Sequence, residues 1–276
     1  MTRRVALVGP GRAGGALCLA LRRGGDRVVA VAGRSPDAPS TQATAQLLGA
    51  PVVEVEAAGV GADLVVLAPP DARLVDVARV VAASIETDAL VVHLSGAQGL
   101  GALASIAEQR TDVAIGALHP LQSLPSAEAG ADRLAGSWAA VAGDARVTVL
   151  AADLGLRPFA VADEHRARYH AAACVASNHL VALLAQVGRL AAAAGVPEEA
   201  FQPLVRATVE HALAIGPAAA LTGPISRGDI GTVAAHLAAI PDDERRAYRA
   251  LADAARVLAG HDDPALVDLL AAETAP

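Results

Sequence analysis

Over the first 160 residues, short apolar runs alternate with amphipathic stretches. Val5-Ala6-Leu7-Val8, Arg27–Ala32, a shorter run near Val52-Val53-Glu54-Val55, Asp63–Ala68, Leu90–Leu94, Val113–Leu118, Trp138–Ala142 and Arg157–Val161 each read as a strand. Strands that are apolar almost throughout, with helical segments between them, predict a parallel sheet covered on both faces. From about residue 163 the period changes to that of helices, and no convincing strand follows. Residues 163–194 read as one long helix, stopped by Gly195 and Pro197. Further helices are expected around 198–215, 230–239, 242–259 and 264–272. The chain is therefore expected to be α/β, with a parallel-sheet domain over residues 1–162 and an all-α domain over 163–276. Its length suits two domains, and no Gly/Ser linker separates them.

The first strand runs straight into Gly9-Pro10-Gly11-Arg12-Ala13-Gly14, and an apolar helical segment follows. Gly9, Gly11 and Gly14 have the G-x-G-x-x-G spacing in the strand–turn–helix context that a Rossmann-type dinucleotide site requires. Gly9 makes the tight turn, Gly11 lets a pyrophosphate approach the backbone, and Gly14 lets helix and strand pack closely. The helix N-terminus supplies free N–H groups for the pyrophosphate. Pro10, Arg12 and Ala13 complete the loop. At the end of the second strand, where an NAD site usually carries a carboxylate, stand Gly33-Arg34-Ser35. An arginine and a hydroxyl suit a 2′-phosphate, so NADP(H) is the expected cofactor, gripped by Arg34 and Ser35. Ala68 and Pro69, after the fourth run, are expected beside the nicotinamide.

Composition narrows the chemistry. The formal net charge is −7 with no basic cluster, which argues against nucleic acid as the main partner. All 22 basic residues are arginine, so lysine is removed from every catalytic scheme. Aromatics make up only 2%, leaving little for stacking platforms. Cys18 and Cys174 fit no metal spacing and read as small buried apolar residues in a reducing compartment. Arg3-Arg4 before an apolar run resembles a signal sequence, but Gly9-Pro10-Gly11 breaks the run at once. No uninterrupted apolar run reaches membrane-span length. A cytoplasmic protein without a membrane or metal partner is expected.

Several polar groups stand where apolar segments end. Ser95 and Gly96 follow the Leu90–Leu94 strand and can cradle a substrate carboxylate or carbonyl. His119-Pro120-Leu121-Gln122 follows the next strand and presents His119 and Gln122 in a proline-stiffened turn. His93 lies inside its strand and reads as a satisfied core histidine. In the long helix, about 100° per residue puts His170 and Ser177 nearly in line, with Cys174 and Asn178 beside them. Reduction of a carbonyl needs a proton donor and orienting groups. His170 is the first candidate donor, His119 the second, and Ser177 and Asn178 can orient substrate. In Leu221-Thr222-Gly223-Pro224-Ile225-Ser226-Arg227-Gly228-Asp229, Asp229 reads first as a helix N-cap. Arg227 suggests anion binding, and both residues are candidate substrate contacts.

Five of these segments, in order, resemble one group. They are the glycine-rich start, His93–Ala97, Leu118–Ser123, Tyr169–Ala172 with Ser177–Leu180, and Leu221–Pro224 with Arg227–Asp229. The group is the Rossmann-like proteins carrying a C-terminal domain of unknown function numbered 2520, similar to the 6-phosphogluconate dehydrogenase-like superfamily. That superfamily includes ketopantoate reductase, pyrroline-5-carboxylate reductase, 3-hydroxyisobutyrate dehydrogenase and prephenate dehydrogenase. The resemblance implies an NADP-binding domain, a helical domain that dimerises, and an active site in the cleft between them. It also implies an asparagine role for Asn178, a carboxylate-binding role for Ser95-Gly96, and a His-Pro pair at His119-Pro120. The expected activity is NADPH-dependent reduction of a small anionic 2-oxo acid, of which ketopantoate is the type. Reduction of a cyclic imine such as pyrroline-5-carboxylate, or non-catalytic NADP(H) sensing, are the alternatives.

Overall fold

The computed structural model describes residues 2–271. The chain forms two compact units that meet at Ser177/Asn178. The compositional switch near residue 162 marks where strands end. The compact division falls later, inside the long helix.

In the first unit, strands β1 (Arg4–Val8), β2 (Arg27–Ala32), β3 (Leu64–Leu67), β4 (Leu90–His93), β5 (Ala114–Leu121), β6 (Trp138–Gly143) and β7 (Arg157–Ala160) form one sheet in the order β2-β1-β3-β4-β5-β6-β7. Helices α1 (Arg12–Arg23), α2 (Pro39–Leu48), α3 (Asp71–Val81), α4 (Ala104–Gln109), α5 (Ala127–Leu134) and α6 (Ala145–Asp153) connect them. Successive side chains of a strand face opposite sides, and both sides are apolar here. Val5 and Leu7 pack in one layer with Leu17, Leu21, Leu48 and Leu134. Ala6 and Val8 pack in the other with Leu74, Ala78, Val81 and Ile106. That two-sided burial is why the strands lack polar alternation. Truncating a fully buried leucine such as Leu17 to alanine costs about 2–5 kcal/mol in such a core.

Two expectations need correction. The run near Val52 is no strand: it makes a single parallel bridge, Val31 to Val52, on the outer side of β2. Glu54 and the 3₁₀ turn Val55–Ala57 end its pairing. The sheet is also not wholly parallel, because β5 and β6 run antiparallel. β5 continues past Leu118 through His119 and Pro120, which pair with Ala140 and Ala139. His119 and Pro120 therefore belong to a strand and not to a turn.

The register places Ala32, Val8, Leu67, His93 and Ala117 in one row across the sheet. The segments that follow them, from Gly33-Arg34-Ser35 to Leu118-His119, all lie along the edge where sheets of this kind take ligands.

The long helix begins with a 3₁₀ turn, Asp163–His165, and continues as α7 (Arg166–Cys174), a π-helical turn (Val175–His179) and α8 (Leu180–Ala193). By length and mean hydropathy, Asp163–Ala193 is apolar enough to cross a membrane, although polar residues interrupt it throughout. Its distal half nevertheless carries Gln186, buried, whose Nε2 donates to the Glu244 carbonyl at 3.1 Å, and Arg189, which pairs with the Glu244 carboxylate. The second unit adds α9 (Gln202–Ile215), α10 (Pro217–Ala220), α11 (Ile230–Ala239), α12 (Asp242–Ala259) and α13 (Pro264–Ala271). Ile225, Val233, Leu237, Ala252, Leu266 and Leu270 form its small core.

Candidate active site

The glycine turn is built for close approach. Gly9 adopts φ +93°, and a Cβ there would lie 2.4 Å from the Ala68 carbonyl carbon and 2.5 Å from the Pro69 nitrogen. The β1 and β3 ends are thus pressed together without a side chain between them. A Cβ on Gly14 would meet Leu7 Cδ1 at 2.7 Å and Ala68 Cβ at 2.9 Å, so α1 packs directly on the strands. Gly11 differs: a Cβ there meets nothing within 4 Å. It is the N-cap of α1 and supplies no side-chain acceptor to the first turn. The open space and the uncapped N–H groups fit a pyrophosphate. Thr44 Oγ1 donates to the Pro10 carbonyl at 3.1 Å and steadies the loop. Arg34 is exposed and makes no ion pair among the described residues, while the neighbouring Ser35 Oγ accepts from the Asp37 N–H at 3.3 Å. The pair fits a 2′-phosphate. Shallow depressions beside Arg22, Asp26 and Asp153 lie at the other end of the strands.

A second cluster assembles around Gly96. A Cβ there would stand 2.7 Å from His170 Cδ2 and 2.8 Å from both Cε1 and Nε2 of His119. The bare Cα of Gly96 thus brings two histidines, far apart in sequence, to one point. Their rings stand edge to face with centroids 5.9 Å apart. His119 Nδ1 lies 2.7 Å from the Tyr169 hydroxyl. His170 Nδ1 has only a 4.0 Å contact with Cys174 Sγ. Cys18 is buried as expected, but Cys174 is half-exposed. Burial, then the neighbouring His170 and Arg166, pull His119 down to about 4. Burial raises the Tyr169 phenol to about 12, against the opposing charge of Arg166.

His93 and Arg166 complete the cluster. His93 is fully buried, as its strand position predicts, but it is not satisfied. Its Nδ1 accepts from the Ser95 N–H at 3.2 Å, while Nε2 makes no hydrogen bond among the described residues. Burial, then Arg166, lowers it to about 4, and the Gly99 backbone offsets this in part without a bond of normal geometry. Ser95 Oγ accepts from the Gln98 N–H at 3.0 Å, which leaves its own proton free to be donated. Arg166 is 0% exposed, and none of its three guanidinium nitrogens is hydrogen-bonded among the described residues. Among the described residues its ion-pair partner is Asp163, with Oδ1 3.4 Å from Nε. Arg166, Tyr169 and Asp163 were not among the residues that periodicity selected. Arg166 stands in a polar run, Asp163-Glu164-His165-Arg166-Ala167-Arg168, which carries no signal of its burial.

The other expected site residues are exposed or make local contacts. Gln122 is exposed, donating to Ser137 Oγ at 3.0 Å and accepting from the Ser123 N–H at 2.8 Å, which closes the turn after β5. The α-helical spacing that aligned His170 with Ser177 and Asn178 does not hold, because the helix widens to a π turn at Val175. Ser177 Oγ donates to the Ala173 carbonyl at 3.0 Å. Asn178 is exposed at the start of the second unit. Arg227 is exposed in a 3₁₀ turn. Asp229 is the N-cap of α11, with both oxygens on Thr232, at 3.0 Å from N and 2.7 Å from Oγ1.

Residues 2–120 match the Rossmann-like domain model, and residues 139–255 match the domain of unknown function DUF2520. No curated protein matches the sequence. Among solved structures, a provisionally assigned NADP oxidoreductase of Bacteroides fragilis is 23% identical with a TM-score of 0.78, covering 93% of this chain and 98% of its own. An imine reductase of Myxococcus stipitatus in complex with NADP+ is 21% identical (TM-score 0.61, 96% and 98% covered). A pyrroline-5-carboxylate reductase of Coxiella burnetii is 15% identical (TM-score 0.59, 94% and 98% covered). At these identities the likeness is one of fold. With both domain matches in sequence order and together spanning most of its length, the chain belongs to the proteins that join a Rossmann-like domain to a C-terminal DUF2520 domain.

Proposed function

We propose that the protein is an NADPH-dependent oxidoreductase that reduces the carbonyl of a small, anionic 2-oxo acid of the ketopantoate type. Gly9, Pro10, Gly11, Arg12, Ala13 and Gly14 would hold the cofactor's pyrophosphate, and Arg34 with Ser35 its 2′-phosphate. Ala68 and Pro69 would border the nicotinamide. The bound cofactor supplies a hydride. Relatives of the same fold named as NADP oxidoreductases and reductases support this class.

One observation carries the substrate choice: the buried, unbonded guanidinium of Arg166 beside histidines held neutral. A fixed positive charge in a low-dielectric site favours a carboxylate and the negative charge that develops on a reduced carbonyl. It disfavours a cationic iminium. Ser95 and Gly96 would orient the substrate, His119 would give the proton, and His170 would flank the reacting carbonyl. The geometry moves His119 ahead of His170 as donor, since only His119 has its second nitrogen held at hydrogen-bond distance. The second reading, reduction of a cyclic imine, is favoured by the fold relatives so named.

The same proposal makes the protein a cytoplasmic homodimer. On α8 and α9, Val181, Leu183, Leu204, Leu213 and Ile215 are exposed. Large apolar side chains exposed in this number suit an interface, and a second copy would cover them.

NADPH and NADH titration followed by a screen of 2-oxo acids and cyclic imines tests the reading. NADPH oxidation with an oxo acid is expected. Turnover only of imines supports the second reading, and tight NADPH binding without any turnover points to a sensor.

A further inference from the structure

We infer that Tyr169 is a positioning residue whose hydroxyl donates to Nδ1 of His119, fixes the His119 proton on Nε2, and passes its own proton to Nδ1 as the Nε2 proton leaves. The inference deepens the role of His119 proposed above and rests on it for its kinetic consequence only.

Three observations support it. The 2.7 Å separation is that of a phenol O–H donating to an imidazole nitrogen, shorter than the usual N–H to oxygen distance. Tyr169 has no other hydrogen-bond partner among the described residues, so nothing competes for its proton. The rings are also locked: Tyr169 stands edge to face with His119 at 5.6 Å and with Phe159 at 5.8 Å, which holds the hydroxyl on Nδ1. With Nδ1 accepting, neutral His119 must carry its hydrogen on Nε2. Nε2, together with Cε1, borders the bare Cα of Gly96. The tautomer therefore presents a donor, not a lone pair, beside Gly96.

The balance of the step follows. As hydride reaches the carbonyl carbon, the C=O π electrons move to oxygen. That oxygen takes the Nε2 proton, and the Nε2–H bond electrons stay on the imidazole. Nδ1 takes the Tyr169 proton, so no imidazolate accumulates and the charge rests on the phenolate. Arg166 favours the phenolate, and an alkoxide is far more basic than a phenolate. Water then gives a proton to the bare Nε2, leaving as hydroxide, and Nδ1 returns its proton to the phenolate, which restores the Nε2–H tautomer and the Tyr169 hydroxyl.

The full-length protein labelled with ¹⁵N-histidine tests this without substrate. Long-range ¹H–¹⁵N correlation spectra, with His119 assigned by its absence in His119→Asn, report which nitrogen bears the proton. Wild type is expected to show His119 only as the Nε2–H tautomer, and Tyr169→Phe a mixture. A His119 proton on Nδ1 in the wild type overturns the inference, as does an unchanged tautomer in Tyr169→Phe. The wild-type spectrum decides the first point even if that variant does not fold. With an oxo acid that turns over, Tyr169→Phe should lower kcat about 100-fold with KM within about threefold. The solvent-isotope proton inventory should fall from two protons to one; a KM effect alone overturns the relay. If no substrate turns over while the tautomer is as expected, the proposed reaction fails and the Tyr169 assignment stands.

Discussion

Oδ1 of Asp163 lies 3.4 Å from Nε of Arg166, and its second oxygen accepts from the Leu100 N–H at 3.2 Å. One carboxylate thus balances the buried guanidinium and ties the loop after β4 to the start of α7. Replacing Arg166 with methionine removes a poorly paired buried charge, so thermal stability should hold or rise. KM for a 2-oxo acid should rise about 10–100-fold, the value of a charge-assisted hydrogen bond. Asp163→Asn instead strands the cation; Asp163 is half-exposed, so the loss is about 2 kcal/mol, below that of a fully buried pair. Paired denaturation curves and kinetics check both; a strongly destabilised Arg166→Met would show the arginine to be structural.

The two turn glycines should fail differently. Gly9→Ala puts a methyl into the Ala68–Pro69 backbone at positive φ and should destabilise the fold by about 1–3 kcal/mol or more. Gly11 has φ −84°, which alanine adopts freely, and open space around it. Gly11→Ala should fold like wild type yet bind NADPH at least about tenfold more weakly. Equal NADPH affinity by fluorescence titration would remove the pyrophosphate from this loop.

Arg34→Ala tests the cofactor choice. Loss of a charge-assisted contact to the 2′-phosphate should weaken NADPH about 10–100-fold and leave NADH affinity unchanged. Parallel losses for both cofactors would place Arg34 outside the 2′-phosphate grip.

The histidine cluster sets a pH dependence. In the unfolded chain, histidines protonate as pH falls through about 6.5, whereas folded His93 and His119 stay neutral to about 4. The unfolded state binds more protons across that window, so stability falls as pH drops from about 6.5 to about 4. His93→Leu should flatten the decline of Tm over this window relative to wild type. An identical decline in both would mean that His93 titrates alike in the two states.

The second unit should lose its partner when its apolar face is charged. Leu213 is 83% exposed on α9. Leu213→Glu should give a monomer by light scattering where wild type gives a dimer, with little change in helix content. A wild-type monomer at micromolar concentration would count against the second copy.

Local rules reached much of this. The apolar runs marked all seven strands because burial on both faces removes polar alternation. The glycine spacing marked the dinucleotide turn because only glycine permits the Gly9 and Gly14 contacts. The far end of the helical half was also legible: α11 and α12 begin and end where capping and period predict. Elsewhere competing contacts decided. Val52 lacked pairing partners beyond a single bridge, and β5 was extended through His119 by its antiparallel neighbour. A π turn reset the helical phase that had aligned Ser177 and Asn178 with His170. Gly9-Pro10-Gly11 could be read from order along the chain because its chemistry is contained in eleven consecutive residues. The Gly96 cluster could not. It draws His93, His119, Arg166 and Tyr169 from two strands and a helix, and only the packing of that helix against the sheet edge buries a charge that no hydrogen bond reaches among the described residues.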